Sequence, residues 1–260
     1  MPSLSYAAGS NDLCYQCNKP GQPKLRTCSR CQVARYCSPE CQKLAWKKHK
    51  PECIDHKAIL KEHEDPTMDE TLRWFLKWLN IWRDPLLAWA AFSANLANQP
   101  ADYVLNHSCL VEVKRRPPAE AAKHATRSKY LVTLSGMCTD VQMHQEFNSR
   151  LTDPAYRAQI VENFHRVPPA PRVLRLVIVC FPLYSVASDD LWNIFPDNKS
   201  AAFSNPFSSE SRLLSTALER AWKEQFAEHV KKGNITGHKE VLQKLIEESQ
   251  ILTRVALEVD

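Results

Sequence analysis

The spacing of apolar residues changes along the chain, and each change marks a predicted element. Between residues 67 and 82 apolar side chains recur every three or four positions, which is typical of a helix buried on more than one face. Thr67 and Glu70 form a capping-box pattern at its start, and Pro85 is expected to kink or end it. The apolar stretch LLAWAAFSANLA then predicts a second helix.

A two-residue alternation replaces the helical period further along the chain. Residues 103–116 alternate apolar and polar side chains and predict a half-buried strand. KYLVTLSG at 129–136 predicts a second strand, and RVLRLVIVCF at 172–181 is apolar enough for the centre of a sheet. The Pro-, Ser- and Asn-rich residues 182–210 predict a long loop.

The last part of the chain returns to the helical period. Residues 208–232 and 238–259 predict two helices, which the breaker sequence GNITG separates. Together with the strands they predict an α+β domain over residues 64–260, in which no family resemblance is recognised.

Composition separates a short N-terminal unit from this domain. Seven of the 10 cysteines lie between Cys14 and Cys53. The same interval holds nine Lys or Arg and two Glu, a formal charge of +7, whereas the whole chain carries +5, so the other residues sum to −2. We therefore predict a flexible N-terminus over residues 1–13, a small basic unit over residues 14–53 and the α+β domain.

The sequence shows no signal for secretion or membrane insertion. The opening MPSLSYAAGSND lacks the basic and apolar regions of a signal peptide. VIVCF, the longest apolar run, is too short to cross a bilayer. We expect an intracellular protein of the nucleus or cytoplasm, without membrane association, whose thiols are reduced.

Seven cysteines and one histidine of the N-terminal unit follow a regular spacing. They form the pairs CxxC, CxxC, CxxxC and HxxxC, at Cys14, Cys17, Cys28, Cys31, Cys37, Cys41, His49 and Cys53. CxxC suits a tight turn that directs both thiolates to one ion, whereas an x3 spacing places ligands one helical turn apart. Eight ligands predict two tetrahedral zinc ions, and four pairs can be divided between two metals in three ways. The odd number of cysteines and the histidine in register disfavour a disulfide framework.

A helix start lies inside this cysteine pattern. Ser38 is a good N-cap residue, and Pro39 suits the first helical position. We therefore predict a helix from Glu40 to His49.

The stretch TCSRCQVARYCSPECQKLAWKKH, together with the eight ligand-type residues, resembles the MYND zinc finger family. The resemblance implies interleaved zinc sites, one held by Cys14, Cys17, Cys37 and Cys41 and the other by Cys28, Cys31, His49 and Cys53. Both ions would be fully coordinated by protein and structural, and the finger should unfold without them. A RING-type ubiquitin ligase is the disfavoured alternative, because its last pair is normally CxxC.

The resemblance also implies a docking site for proline-rich segments of other proteins. The residues that the family uses match Ser29, Gln42 and Trp46. Gln42 and Trp46 share a helix face, and Trp46 offers a flat surface to an extended peptide. Packing of Trp46 against the zinc-binding loops is the alternative. Nucleic-acid binding is disfavoured, because no base-reading helix signature accompanies the lysines.

One short stretch of the larger domain raises an enzyme hypothesis. Asn106-His107-Ser108-Cys109 resembles a stretch near the methyl-donor site of SET-type lysine methyltransferases, some of which carry a MYND finger. However, Leu-Val-Glu follows Cys109 in place of Pro-Asn, no downstream cysteine cluster follows, and the finger begins too early for the SET portion expected before it. We therefore predict a non-enzymatic adaptor, with a methyltransferase as the alternative. The sequence leaves the partner, the oligomeric state and the role of residues 64–260 open.

Overall fold

The computed structural model describes residues 14–17, 19, 25–30, 34–50, 53, 66–165, 169–190 and 212–257, without the side chains of 66–69, 189–190 and 249–257. The predicted flexible N-terminus, the predicted ligand Cys31 and residues 191–210 of the predicted loop therefore lie outside the described residues.

The described elements confirm an α+β fold in which a small finger precedes a helix and a mixed sheet. In chain order they are β1 (Arg26–Thr27), β2 (Arg35–Tyr36), α1 (Pro39–His49), α2 (Pro66–Ser93), a 3-10 turn (Leu96–Asn98), α3 (Tyr103–Asn106), β3 (His107–Arg115), α4 (Pro118–Ala121), a 3-10 turn (Thr126–Ser128), β4 (Tyr130–Thr139), α5 (Asp140–Arg150), α6 (Pro154–His165), β5 (Val173–Cys180), β6 (Leu183–Asp190), α7 (Arg212–Lys232) and α8 (Gly237–Leu257).

The larger sheet has four strands in the order β4-β3-β5-β6. β3 pairs antiparallel with β4 and parallel with β5, where Cys109 lies opposite Leu176, and β5 pairs antiparallel with β6. β5 is buried along almost its whole length, which confirms its predicted central position. Its apolar side chains serve both faces of the sheet, as expected for a strand covered on both sides.

Helices cover each face of this sheet. On one face α2, α7 and α8 pack over alternate residues of β3 and β5, around the fully buried Trp78, Trp82 and Trp89. On the other face α5 and α6 contribute Phe147 and Phe164 to a second core. Among the described helices, none combines the length and the apolar character that a bilayer span requires.

The prediction that a helix ends at Pro85 is wrong, because α2 runs without interruption from Pro66 to Ser93. Proline inside a helix costs about 3 kcal/mol. Here Trp82, Leu86 and Trp89, on both sides of the proline, are completely buried. Burial of such large side chains contributes more than the lost hydrogen bond costs, so the helix continues.

Two further predictions need correction. Residues 103–106 form the helical turn α3, and β3 begins only at His107. His107 pairs with Thr139, the last residue of β4, so the ladder ends there. Residues 183–190, predicted within a loop, form β6, which pairs with β5 along its full length.

The helices α5 and α6 were not predicted, although α5 begins with a recognisable helix-capping sequence. Thr139 and Gln142 form a capping box: the Gln142 N–H donates to Thr139 Oγ1 at 3.2 Å, and the Thr139 N–H donates to Gln142 Oε1 at 2.8 Å. The next residue, Asp140, accepts a hydrogen bond from the buried guanidinium of Arg175 on β5 at 2.6 Å. The cap and the ion pair together attach α5 to the sheet.

Candidate metal centre

Backbone hydrogen bonds bring distant parts of the finger together. β1 and β2 form an antiparallel hairpin, and the Cys28 N–H donates to Ala34 O at 2.7 Å beside it. The Tyr15 N–H donates to Arg35 O at 2.8 Å, which attaches the loop at residues 14–17 to β2. Residues that are twenty or more positions apart in the sequence therefore lie side by side.

Helix α1 begins as predicted, with Ser38 as its N-cap. The Cys41 N–H donates to Ser38 Oγ at 3.2 Å, and Pro39 occupies the first turn. The helix separates Cys41 and His49 by two turns, so these two side chains serve different groups of ligands.

The first group contains Cys14, Cys17, Cys37 and Cys41, whose sulfur atoms all lie within 4.8 Å of one another. The Cys17 and Cys37 sulfurs are 3.7 Å apart, and those of Cys37 and Cys41 are 3.4 Å apart. A disulfide requires about 2.05 Å, whereas sulfurs at the corners of a tetrahedral zinc site are about 3.8 Å apart for Zn–S bonds near 2.3 Å. The donor set and its spacing fit a zinc ion.

The second group contains Cys28, His49 and Cys53, all of which are buried. The Cys28 and Cys53 sulfurs are 3.8 Å apart, again the spacing of a tetrahedral site. The predicted fourth member, Cys31, lies outside the described residues. The structure thus brings together seven of the eight predicted ligands in two groups, in which the pairs alternate along the chain.

The thiols of the first group influence one another's ionisation. Burial raises the pKa of Cys14, but N–H groups of Cys37, Cys17 and Gln16 outweigh this effect and lower the pKa to about 6. Hydrogen bonding with the Cys41 thiol, and then with Cys14 and Cys17, raises the pKa of Cys37 to about 12. Cys14 and Cys37 therefore ionise at different pH, and a divalent cation at the centre of the group would favour the thiolate form of both.

A few aromatic side chains fill the space around the second group. The His49 ring lies edge-on to Tyr15, Tyr36 and Trp46, with centroid separations of 5.5, 6.1 and 6.0 Å. Beyond the cysteines, the buried residues of this core are Ala34, Tyr36 and Ala45. The finger therefore surrounds its ligands with a thin apolar layer.

The predicted peptide-binding residues lie on the finger surface beside this core. Gln42 and Trp46 are half-buried and one turn apart on α1, and Ser29 is exposed directly after Cys28. The Trp46 ring packs against His49 and still retains exposed area. Leu44, two positions from both Gln42 and Trp46, is 71% exposed on the opposite side of the helix.

The Asn106–Cys109 stretch lies at the entry to β3 in the larger domain. Ser108 and Cys109 are completely buried in the sheet, and burial raises the pKa of the Cys109 thiol to about 12. The His107 ring stacks on Tyr103 with a centroid separation of 3.8 Å, and its Nδ1 lies 2.9 Å from Tyr103 O. These contacts are those of a packed strand end.

The cysteine groups, the hairpin and the capped helix define a small zinc finger. The MYND finger family matches residues 14–53, so this segment is a MYND finger. The match covers the finger and not the domain that follows it.

Several curated proteins resemble the chain over short segments. Human histone-lysine N-methyltransferase SMYD3 is 61% identical over 33 residues, 13% of this chain and 8% of the human protein. Mouse histone-lysine N-methyltransferase Smyd1 is 40% identical over 68 residues, 26% of this chain and 13% of the mouse protein. Arabidopsis thaliana histone-lysine N-methyltransferase ASHR1 is 32% identical over 80 residues, 30% of this chain and 16% of the plant protein. No solved structure matches the chain.

Proposed function

We propose that the protein is an intracellular adaptor whose zinc-loaded finger docks proline-rich segments of other proteins. In this proposal the finger binds two structural zinc ions. One is held by Cys14, Cys17, Cys37 and Cys41, and the other by Cys28, Cys31, His49 and Cys53. The chain would comprise residues 1–13 as a flexible N-terminus, residues 14–53 as the finger and residues 64–260 as a separate domain. Zinc–thiolate chemistry requires reduced cysteines, which agrees with a location inside the cell.

The half-buried state of Trp46 carries the docking proposal. Trp46 is neither fully buried nor exposed, so its ring can contact a partner as well as the core of the finger. Here the ring rests against His49 while part of its surface stays accessible beside Gln42. An aromatic face next to an amide suits a polyproline segment, because the rings of proline need a flat apolar surface and its carbonyl groups need a donor.

Zinc would control this surface through His49. Trp46 has its ring 6.0 Å from that of His49, a member of the second ligand group. If His49 holds zinc, the ion fixes the imidazole ring and therefore the aromatic wall beside it. Docking should thus depend on metal as well as on Gln42 and Trp46.

The direct test is a titration of the zinc-loaded full-length chain into a pool of fluorescein-labelled proline-rich peptides, followed by anisotropy. We expect saturable binding that Trp46→Ala weakens about tenfold or more and Gln42→Ala weakens less, because buried aromatic anchors dominate such interfaces. Leu44→Ala is the matched control, since it removes an exposed apolar side chain from the other side of the same helix.

Two results would contradict the docking proposal. One is equal binding of peptides in which every proline is replaced by alanine. The other is a loss of affinity in Leu44→Ala as large as that in Trp46→Ala, which would move the contact surface away from the proposed residues.

A lysine methyltransferase is the second candidate, because the relatives that match the chain carry that name. The methyltransferase predicts that the chain binds S-adenosylmethionine and that His107→Ala abolishes the binding. Calorimetry that detects such binding would replace the adaptor proposal with the enzyme.

A further inference from the structure

Cationic side chains from three parts of the larger domain converge on one tryptophan. Lys129 Nζ lies 3.9 Å from the centroid of the Trp74 ring, Lys77 Nζ lies 4.9 Å from it, and Arg115 Cζ lies 5.1 Å from it. Lys77 belongs to α2, Arg115 to the end of β3, and Lys129 to the segment before β4. We call Trp74 and these three cations the Trp74 patch.

A carboxylate of the same chain already occupies the edge of this patch. Glu70 Oε1 accepts hydrogen bonds from Trp74 Nε1 at 3.1 Å and from both terminal nitrogens of Arg115 at 3.3 Å. The Glu70 side chain is 61% exposed, so the solvent can compete for it. The patch therefore provides the donors that a carboxylate needs.

The Trp74 patch carries excess positive charge. All three cations lie within 5.1 Å of one point, so no two of them are separated by more than a Debye length of about 10 Å. Among the described side chains, the ion pair found with these cations is that of Arg115 with Glu70. The remaining repulsion between the cations favours the binding of a further anion.

Hydrogen bonds fix the segment that carries Lys129 against the end of β3. The Arg116 N–H donates to Lys129 O at 2.9 Å, and the buried Arg116 guanidinium donates through Nε to Ser128 O at 2.9 Å. Trp74 itself packs against the larger core of the domain. Little ordering of the loop at Lys129 therefore remains to occur on binding.

We propose that the Trp74 patch binds an acidic segment of a partner protein. Carboxylates suit it because Glu70 already makes the corresponding contacts. A single-stranded nucleic acid fits less well, because stacking of bases needs an open aromatic face and the protein's own cations lie over this ring. Furthermore, outside the finger the chain sums to −2, unlike a domain that tracks a phosphate backbone.

The test measures binding of a fluorescein-labelled octaglutamate peptide to the zinc-loaded full-length chain by anisotropy. We expect Lys77→Glu/Lys129→Glu to weaken binding about tenfold or more, since two attractive contacts become repulsive. Glu70→Gln should strengthen binding severalfold, because it removes the competing carboxylate. A merely structural cluster would not respond in this direction.

Two control variants separate the patch from other basic surfaces. Lys223→Glu reverses one lysine charge on α7, beside Glu219, which contacts Asn95 beyond the end of α2. Asn95 follows Trp74 by 21 positions, roughly 30 Å along a helix. Lys47→Glu makes the change on the basic finger. Both controls should retain wild-type affinity within about twofold.

Each possible outcome decides the proposal. It fails if the peptide does not bind, if Lys47→Glu alone abolishes binding, or if a single-stranded oligonucleotide of equal charge displaces the peptide at lower concentration. Circular dichroism checks the fold of the double variant. If that variant does not fold, Lys77→Gln, an exposed change on α2, replaces it, and unchanged affinity in Lys77→Gln would overturn the proposal.

Discussion

The finger and the larger domain of this chain reach stability by opposite routes. In the finger the buried residues are mostly ligand-type cysteines and His49, with Ala34, Tyr36 and Ala45 between them. In the larger domain two apolar cores lie on either face of a four-stranded sheet, and tryptophans fill one of them. So short a finger cannot bury enough apolar surface to fold alone, whereas the domain can. Within one chain, metal binding in the finger and apolar burial in the larger domain are therefore separable sources of stability.

Removal of metal should unfold the finger and leave the larger domain folded. Zinc contributes about 10 kcal/mol or more per structural site, so chelation should unfold residues 14–53. The helices and strands between residues 66 and 257 should persist. Hydrogen exchange followed by peptide-resolved mass spectrometry measures both regions in one sample.

The chelation experiment needs a control that shows which metal ion the finger requires. Re-addition of zinc should restore protection of the finger, and magnesium should not, because it prefers oxygen ligands. A finger that keeps its protection without metal would contradict the proposed role of zinc.

Truncation of a core tryptophan should destabilise the larger domain and leave the finger unchanged. Trp89 is completely buried in the larger core, and Trp89→Ala should lower the free energy of unfolding of the domain by about 3–5 kcal/mol. Urea unfolding measures this loss, and Leu213→Ala, which changes a residue 87% exposed, is the control. The zinc content should stay unchanged, and parallel loss of zinc would show that the two regions depend on each other.

Acid should act on the domain through His238. Burial lowers the pKa of His238 to about 4 from its ordinary 6.5, with a smaller contribution from Lys239. The unfolded chain therefore takes up the proton first, so this contribution to stability is complete above pH 6.5 and is lost as the pH falls towards 4. We expect His238→Gln to remove about 3 kcal/mol of pH dependence in urea unfolding of the domain. His124→Gln serves as the control, and an equal effect there would refute the assignment.

Loss of the α5 cap should have the smallest effect. Thr139→Ala removes the acceptor for the Gln142 N–H and should cost the domain about 1 kcal/mol. Thr139→Ser keeps the hydroxyl group and should cost much less. Equal losses in the two variants, measured by urea unfolding, would show that the methyl group and not the cap is responsible.

The same contrast explains how far the sequence could predict the structure. The finger was recognisable because metal ligands must occur as particular residue types at short spacings, and Ser38-Pro39 marks a helix start locally. The spacing left the division of ligands between two groups open, and only the resemblance to the MYND family implied it, because the division depends on the hairpin and on contacts such as Tyr15 with Arg35. The spacing of the ligands along the chain shows neither the hairpin nor this contact.

Errors in the larger domain came from tertiary packing. Pro85 is a strong local break signal, yet burial of Trp82 and Trp89 keeps α2 continuous. Residues 183–190 contain enough polar side chains to resemble a loop, and they become a strand because β5 offers an edge for pairing. The central position of β5 was predictable, since burial on both faces requires a continuous apolar run.

The interleaved ligand groups are the central claim, and counting zinc in two double variants by native mass spectrometry tests it most directly. Wild type should hold two zinc ions. Cys14→Ser/Cys37→Ser changes one group twice and should hold one zinc, whereas Cys14→Ser/Cys28→Ser changes both groups and should hold none. One zinc in the second variant and none in the first would show that consecutive pairs share a metal and would contradict the account.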